Sequence, residues 1–259
     1  MMKKIFGYFL LILLPWTVTA EAQSPAIVNG VAWLKAVQGV DGSWRNSPSS
    51  TDFYTTSSVL ESFATLGDTS AAFTNGLLWL QAANATSTTY LAPRIKLTTI
   101  SGGDAANDQN TLLSYRNNGS GWGGYLNQET SNFHTSLALQ AFKSANSTDQ
   151  TLIFKSINYL LSTQNPDGGW GFVQSEQSNI YVTAHVLSTL AQFKGVYLAA
   201  AQLASAASYL LANQNADGGF GADGSTAYET ALAFIAIMES GQGQLVPLQN
   251  AVNYLTATQ

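Results

Sequence analysis

The chain repeats itself, and that self-similarity limits its possible folds more than any other feature. The string Tyr-Leu-Leu-x-x-Gln-Asn-x-Asp-Gly-Gly-aromatic-Gly occurs at residues 159–171 and again at 209–221. A unit of this size cannot bury an apolar face alone, so its copies must stack on one another. Partial copies of the turn are Asp41-Gly42-Ser43-Trp44 and Gly119-Ser120-Gly121-Trp122-Gly123, the latter without the Asp. Gln stands six residues before the aromatic in three copies: Gln38 before Trp44, Gln164 before Trp170 and Gln214 before Phe220. Arg116 holds that place before Trp122. Asp41, Asp167 and Asp217 are suited to cap their own turns, and Gly takes positive-φ positions that other residues avoid.

A helical stretch precedes each turn. Aligning Leu34, Leu80, Leu112, Leu160, Leu210 and Leu255 gives intervals of 46, 32, 48, 50 and 45 residues, the short one following a second unit that lacks the turn. A second stretch follows each turn and opens alike: Tyr54-Thr55-Thr56, Phe133-His134-Thr135, Tyr181-Val182-Thr183 and Tyr228-Glu229-Thr230. Apolar residues then recur at helical spacing, and no segment alternates like a strand. The unit is helix, Gly-aromatic turn, helix, and the expected fold class is all-α.

This string resembles the repeat of squalene and oxidosqualene cyclases and of protein prenyltransferase β subunits, over about residues 26–259. The resemblance implies an α/α toroid of about five and a half repeats, with six outer helices before the turns and five inner helices after them. The last outer helix stops at Gln259, so either it completes the ring alone or the chain is part of a longer protein.

Residues 1–22 read as a secretory signal peptide: Lys3 and Lys4, an apolar run from Ile5 to Leu14, and small residues at Ala20 and Ala22. The reading implies a secreted or periplasmic domain with no membrane association after cleavage. Without Lys3, Lys4 and Glu21, 8 basic and 14 acidic side chains remain. That balance disfavours nucleic acid, which calls for clustered Lys and Arg. The chain has no cysteine, which rules out thiolate nucleophiles and Cys-ligated metal.

The chemistry of the resembled families is hard to assemble here. Squalene-type cyclases protonate substrate from an Asp-rich motif, and no Asp-x-Asp-Asp occurs. Candidate acids are Asp104, Asp108 and Glu229, with a helix cap and a solvated first-turn acid as the simpler reading of the Asp104–Asp108 pair. Phe133-His134-Thr135 resembles the segment that carries the prenyltransferase zinc-binding His, but a lone His is a poor zinc site. His185 reads as a hydrogen-bonded helix residue. No metal and no cofactor are expected. No Gly-x-Ser-x-Gly, phosphate loop or calcium loop can be completed.

The resemblance implies a ring mouth formed by the inner-helix starts: Asp52, Tyr54, Thr56, His134, Thr135, Tyr181, Thr183, Tyr228, Glu229 and Thr230. Such a mouth suits an apolar ligand or a glycan, or the same residues simply cap and pack helices. The leading expectation is an extracellular binding or scaffold module for a small apolar ligand, a glycan or a protein, fused in some cases to further extracellular domains. The alternatives are a divergent terpene-cyclase-like enzyme on an isoprenoid and a carbohydrate-active toroid, lyase or hydrolase.

Overall fold

The computed structural model describes residues 25–46, 50–117, 120–197 and 199–258. The expected signal peptide, Gly119 and Gln259 lie outside the described residues. Among those described there are eleven helices: α1 (Pro25–Ala36), α2 (Asp52–Thr65), α3 (Ala71–Ala82), α4 (Thr88–Ile100), α5 (Ala106–Ser114), α6 (Asn132–Ser144), α7 (Gln150–Ser162), α8 (Ile180–Ala191), α9 (Ala200–Ala212), α10 (Ala227–Ser240) and α11 (Leu245–Ala257). Two short strands, β1 (Arg116–Asn117) and β2 (Gly121–Trp122), pair antiparallel between α5 and α6. No sequence periodicity announces a pair this short. No described helix is long and apolar enough to cross a membrane.

Contacts divide the chain into one unit ending at Val37 and another running from Gln38 onward. The first contains α1, in which no residue is buried. In the second, each even-numbered helix packs against the next even-numbered one, α2 on α4, then α6, α8 and α10. The odd-numbered helices pack on their even-numbered neighbours. Within this unit the even helices are therefore an inner layer and the odd ones, from α3 on, an outer layer, as the positions of the aligned leucines from Leu80 on require.

The turn signature is the joint between these layers. Asp167 Oδ1 accepts from the Gly169 amide at 2.9 Å and from the Ser178 hydroxyl at 2.8 Å. Asp217 does the same with Gly219 and Ser225, and those bonds hold its carboxyl below the usual carboxylate range. Gly168 sits at φ +91°, and a Cβ there would lie 2.5 Å from the Ser205 carbonyl oxygen of the next outer helix. Only glycine fits both constraints. The Gln side chain then ties the turn to that helix. Gln164 Nε2 donates to the Gly168 and Gln202 carbonyls at 2.7 and 3.0 Å. Gln214 reaches Gly218 and Pro247, and Gln38 reaches Gly42 and Ala72, all at 2.8 Å.

The aromatic residues are the buried pins of the joint. Trp44, Trp122, Trp170 and Phe220 are all buried. The Trp122 and Trp170 indole N–H groups donate to the Leu112 and Leu160 carbonyls at 2.8 Å, locking each turn to the helix before it. In the copy where Arg116 stands in place of Gln, its guanidinium lies 5.8 Å from the Trp122 ring centroid. The second unit, with no turn of its own, borrows from the third: the Thr88 amide and hydroxyl at the start of α4 donate to the Gly124 and Gly123 carbonyls at 2.8 and 2.6 Å.

The inner-helix threonines complete the joint. The amides of Trp44, Trp122, Trp170 and Phe220 donate to the hydroxyls of Thr56, Thr135, Thr183 and Thr230 at 2.9–3.0 Å. All four threonines are fully buried. A buried amide that loses its partner costs about 1–3 kcal/mol. Thr183→Val, which keeps shape and removes the acceptor, is therefore expected to lower unfolding free energy by about that amount, while Thr183→Ser retains most of it. Urea denaturation of the two variants checks this.

Candidate functional site

The even helices line a partly open cavity of about 80 Å³. Tyr54, Ser57, Ser58 and Glu61 of α2 line it, facing Phe133, Leu137 and Gln140 of α6. Lys96 of α4, Tyr181 and His185 of α8 and Tyr228 of α10 complete the wall. On α2 and α6 these residues recur three, four and seven positions apart, as one helical face requires.

Three tyrosines close one end. The hydroxyls of Tyr54 and Tyr228 hydrogen-bond, joining the first and last helices of the inner layer. Tyr181 packs against Tyr228 at 6.2 Å between ring centroids. Burial, followed by the neighbouring tyrosines, pushes the Tyr181 and Tyr228 phenols up, so both stay neutral. Phe133 continues the cluster, 5.1 Å from the rings of both Tyr181 and His185.

The wall also carries polar side chains. Glu61 and Lys96 form an ion pair at 3.3 Å. Gln140 Nε2 donates to the Thr189 hydroxyl at 2.7 Å. His185 is half-buried, and its enclosed Nε2 has no hydrogen-bond partner, contrary to the sequence expectation of a bonded helix residue. Desolvation, with a smaller contribution from Lys96, lowers its pKa to about 4. Desolvation does the same to His134, whose Nδ1 is likewise unpartnered.

Of the ten residues expected at the mouth, only Tyr54, Tyr181 and Tyr228 line the cavity. Thr56, Thr135, Thr183 and Thr230 point into the turn joints described above, because the amides there need acceptors. Asp52 pairs with Arg45 at 3.2 Å. Glu229 lies in the first turn of α10, where the Thr226 hydroxyl caps the helix, accepting from the Glu229 amide and donating to its carboxylate, both at 3.1 Å. The Asp104–Asp108 pair is also corrected. Asp104 accepts from the Ala106 amide, whereas Asp108 is not a solvated acid: Arg94 grips both its oxygens at 2.7 and 2.6 Å. Glu61, Lys96 and Gln140 escaped the sequence reading because they lie outside the repeated string. Their signal was the inward face itself, seven residues beyond Tyr54 for Glu61 and seven beyond Phe133 for Gln140.

Two concentric layers of helices joined by Gly-aromatic turns, around a tyrosine-capped centre, define an α/α toroid. The sequence matches the squalene-hopene cyclase C-terminal domain over residues 95–259, and the chain belongs to that family. Solved structures agree on the fold. The type II terpene cyclase MstE from Scytonema superposes with a TM-score of 0.70 at 16% identity, covering 90% of this chain and 78% of that one. A protein from Actinoplanes gives 0.69 at 17% identity, over 90% and 80%. The ent-copalyl diphosphate synthase from Streptomyces platensis gives 0.66 at 23% identity over 79% of this chain, which spans 44% of that synthase. No curated protein matches the sequence.

The two histidines make acid stability a readout of the site. Their folded pKa values, near 4, lie below the ordinary 6.5, so between those limits the unfolded chain binds more protons. The stability they contribute is full above pH 6.5 and declines as pH falls toward 4. Two imidazole resonances titrating near pH 4 by NMR are expected. In His185→Leu, the acid-side slope of unfolding free energy against pH becomes shallower.

Proposed function

We propose that this chain is an extracytoplasmic member of the squalene-hopene cyclase family that has lost catalysis and works as a binding or scaffold module. The observation that carries the reading is the narrowness of the centre. The Tyr54–Tyr228 bond bridges the ends of the inner layer, and about 80 Å³ remains beneath it. Ligand pockets typically run to roughly 300–1,000 Å³.

The acids support the same reading. An acid that protonates an alkene needs surroundings that keep its own proton on, such as a second carboxylate or an apolar enclosure. Glu61, the carboxyl on the cavity wall, faces an ammonium instead, and Asp108 faces a guanidinium. Export rests on the leader-like first 22 residues, with cleavage after Ala22.

A terpene-cyclase activity is the second reading, and the family and the aromatic wall favour it. One of the similar structures, MstE, is a type II terpene cyclase. Incubating the purified protein with geranylgeranyl diphosphate and with squalene separates the two. The module reading predicts no cyclised product by gas chromatography. A product that disappears in Glu61→Gln, with the helical circular-dichroism signal intact, would establish a cyclase and overturn it.

A further inference from the structure

Three outer helices carry a tyrosine just before the aligned leucine: Tyr159, Tyr209 and Tyr254. Two of the three phenols do the same work. Tyr159 and Tyr254 donate to the carbonyls of Thr130 and Ser225 at 3.2 and 2.7 Å, each 29 residues back. Tyr115, one helical turn further on in its unit, donates likewise to Thr86 at 3.0 Å. Each acceptor directly precedes an inner-helix N-cap: Ser87, Ser131 and Thr226. The bond straps an outer helix to the loop that enters its inner partner.

Tyr209 of α9 is the exception. Its equivalent acceptor is Ser178, before the α8 N-cap Asn179, and that residue stands 31 positions back. Among the described residues, the Tyr209 hydroxyl has no hydrogen-bond partner. Its ring packs on the core. Burial, then the nearby Asp167 carboxylate, pushes the phenol up, so it stays a neutral donor.

A pocket of about 490 Å³ opens where this strap is missing. Ser208, Tyr209 and Asn213 of α9 line it, together with Asp167 of the turn and Gln177 and Ser178 before α8. Asp167 uses Oδ1 on the Gly169 amide and the Ser178 hydroxyl, which leaves Oδ2 as an acceptor. Asn213 Nδ2 donates to the Tyr209 carbonyl at 2.8 Å, which leaves its side-chain oxygen. This lining selects a ligand class. No Lys or Arg is present to hold an anion, and one carboxylate falls short of a calcium site. The volume lies within the roughly 300–1,000 Å³ usual for small-molecule sites.

We propose that this pocket binds a neutral saccharide, whose hydroxyls donate to Asp167 Oδ2 and Asn213 and accept from the Tyr209 phenol. A sugar hydroxyl is donor and acceptor at once, and the pocket offers partners of both kinds. The carboxylate contributes most, since a charged acceptor makes a hydrogen bond about twice as strong as a neutral one. The pocket shares no lining residue with the central cavity, so the site stands whether or not the centre is catalytic.

The test is saturation-transfer difference NMR on the full chain with glucose, maltotetraose, cellotetraose, mannotetraose and tetragalacturonate. Transfer to at least one neutral sugar is expected, and glucose separates a free monosaccharide from a chain. Tyr209→Phe should weaken that binding by at least about fivefold in calorimetry, the value of one hydrogen bond. Its thermal melt should not change, because the hydroxyl bonds nothing in the protein. Tyr254→Phe should do the reverse, lowering the melting temperature and leaving binding intact. Asn213→Ala, at an exposed position, should also weaken binding, and it decides the matter if Tyr209→Phe does not fold. Transfer to none of the sugars, or to tetragalacturonate alone, would overturn the proposal. So would binding that survives both Tyr209→Phe and Asn213→Ala.

Discussion

Everything in the inner and outer layers hangs on a buried hydrogen bond between a turn amide and a threonine hydroxyl. The Trp170 amide cannot reach water, because its own indole and the flanking helices enclose it. The Thr183 hydroxyl satisfies it from the first turn of the next helix. One side chain thus meets a local demand for a hydrogen bond and sets where the inner helix begins. Gln164 adds the longer-range link, since its amide spans the turn and the following outer helix. Each joint therefore couples three consecutive helices, and each additional repeat adds a further joint.

That coupling explains what the repeats tolerate. Arg116 replaces Gln before Trp122, and there the turn carries the ring contact and the β1–β2 pair. The second unit lacks a turn altogether, yet α4 keeps its place through Thr88, bonded to the third unit's glycine carbonyls. The joints bury their polar groups completely, so their conservation of form says little about chemistry. Chemistry belongs to the inward face, where residues differ from one helix to the next: Glu61, Lys96, Gln140 and His185.

Much of the fold was legible in the sequence. The two copies of the Gln-Asn-x-Asp-Gly-Gly-aromatic string fixed the helix–turn–helix unit, and the spacing of leucines located the outer helices. The threonines were visible as recurring residues but their task was not. The hydroxyl reaches back 12 residues to Trp44, 13 to Trp170 and 10 to Phe220, a variable distance that hides the pairing. The site was less legible. Glu61 and Lys96 are 35 residues apart and meet only because α2 and α4 adjoin in the inner layer. His185 follows Tyr181 by one helical turn, but a sequence does not show that its Nε2 is left without a partner.

Native-state hydrogen exchange at the turn amides tests this account most directly. If the joints hold the layers together, the amides of Trp122, Trp170 and Phe220 exchange only by global unfolding. Their opening free energies then match the stability measured with denaturant, as the buried helical amides' do. Exchange of these three amides at markedly lower free energy, while α8 and α10 stay protected, would contradict the claim that the layers depend on the joints.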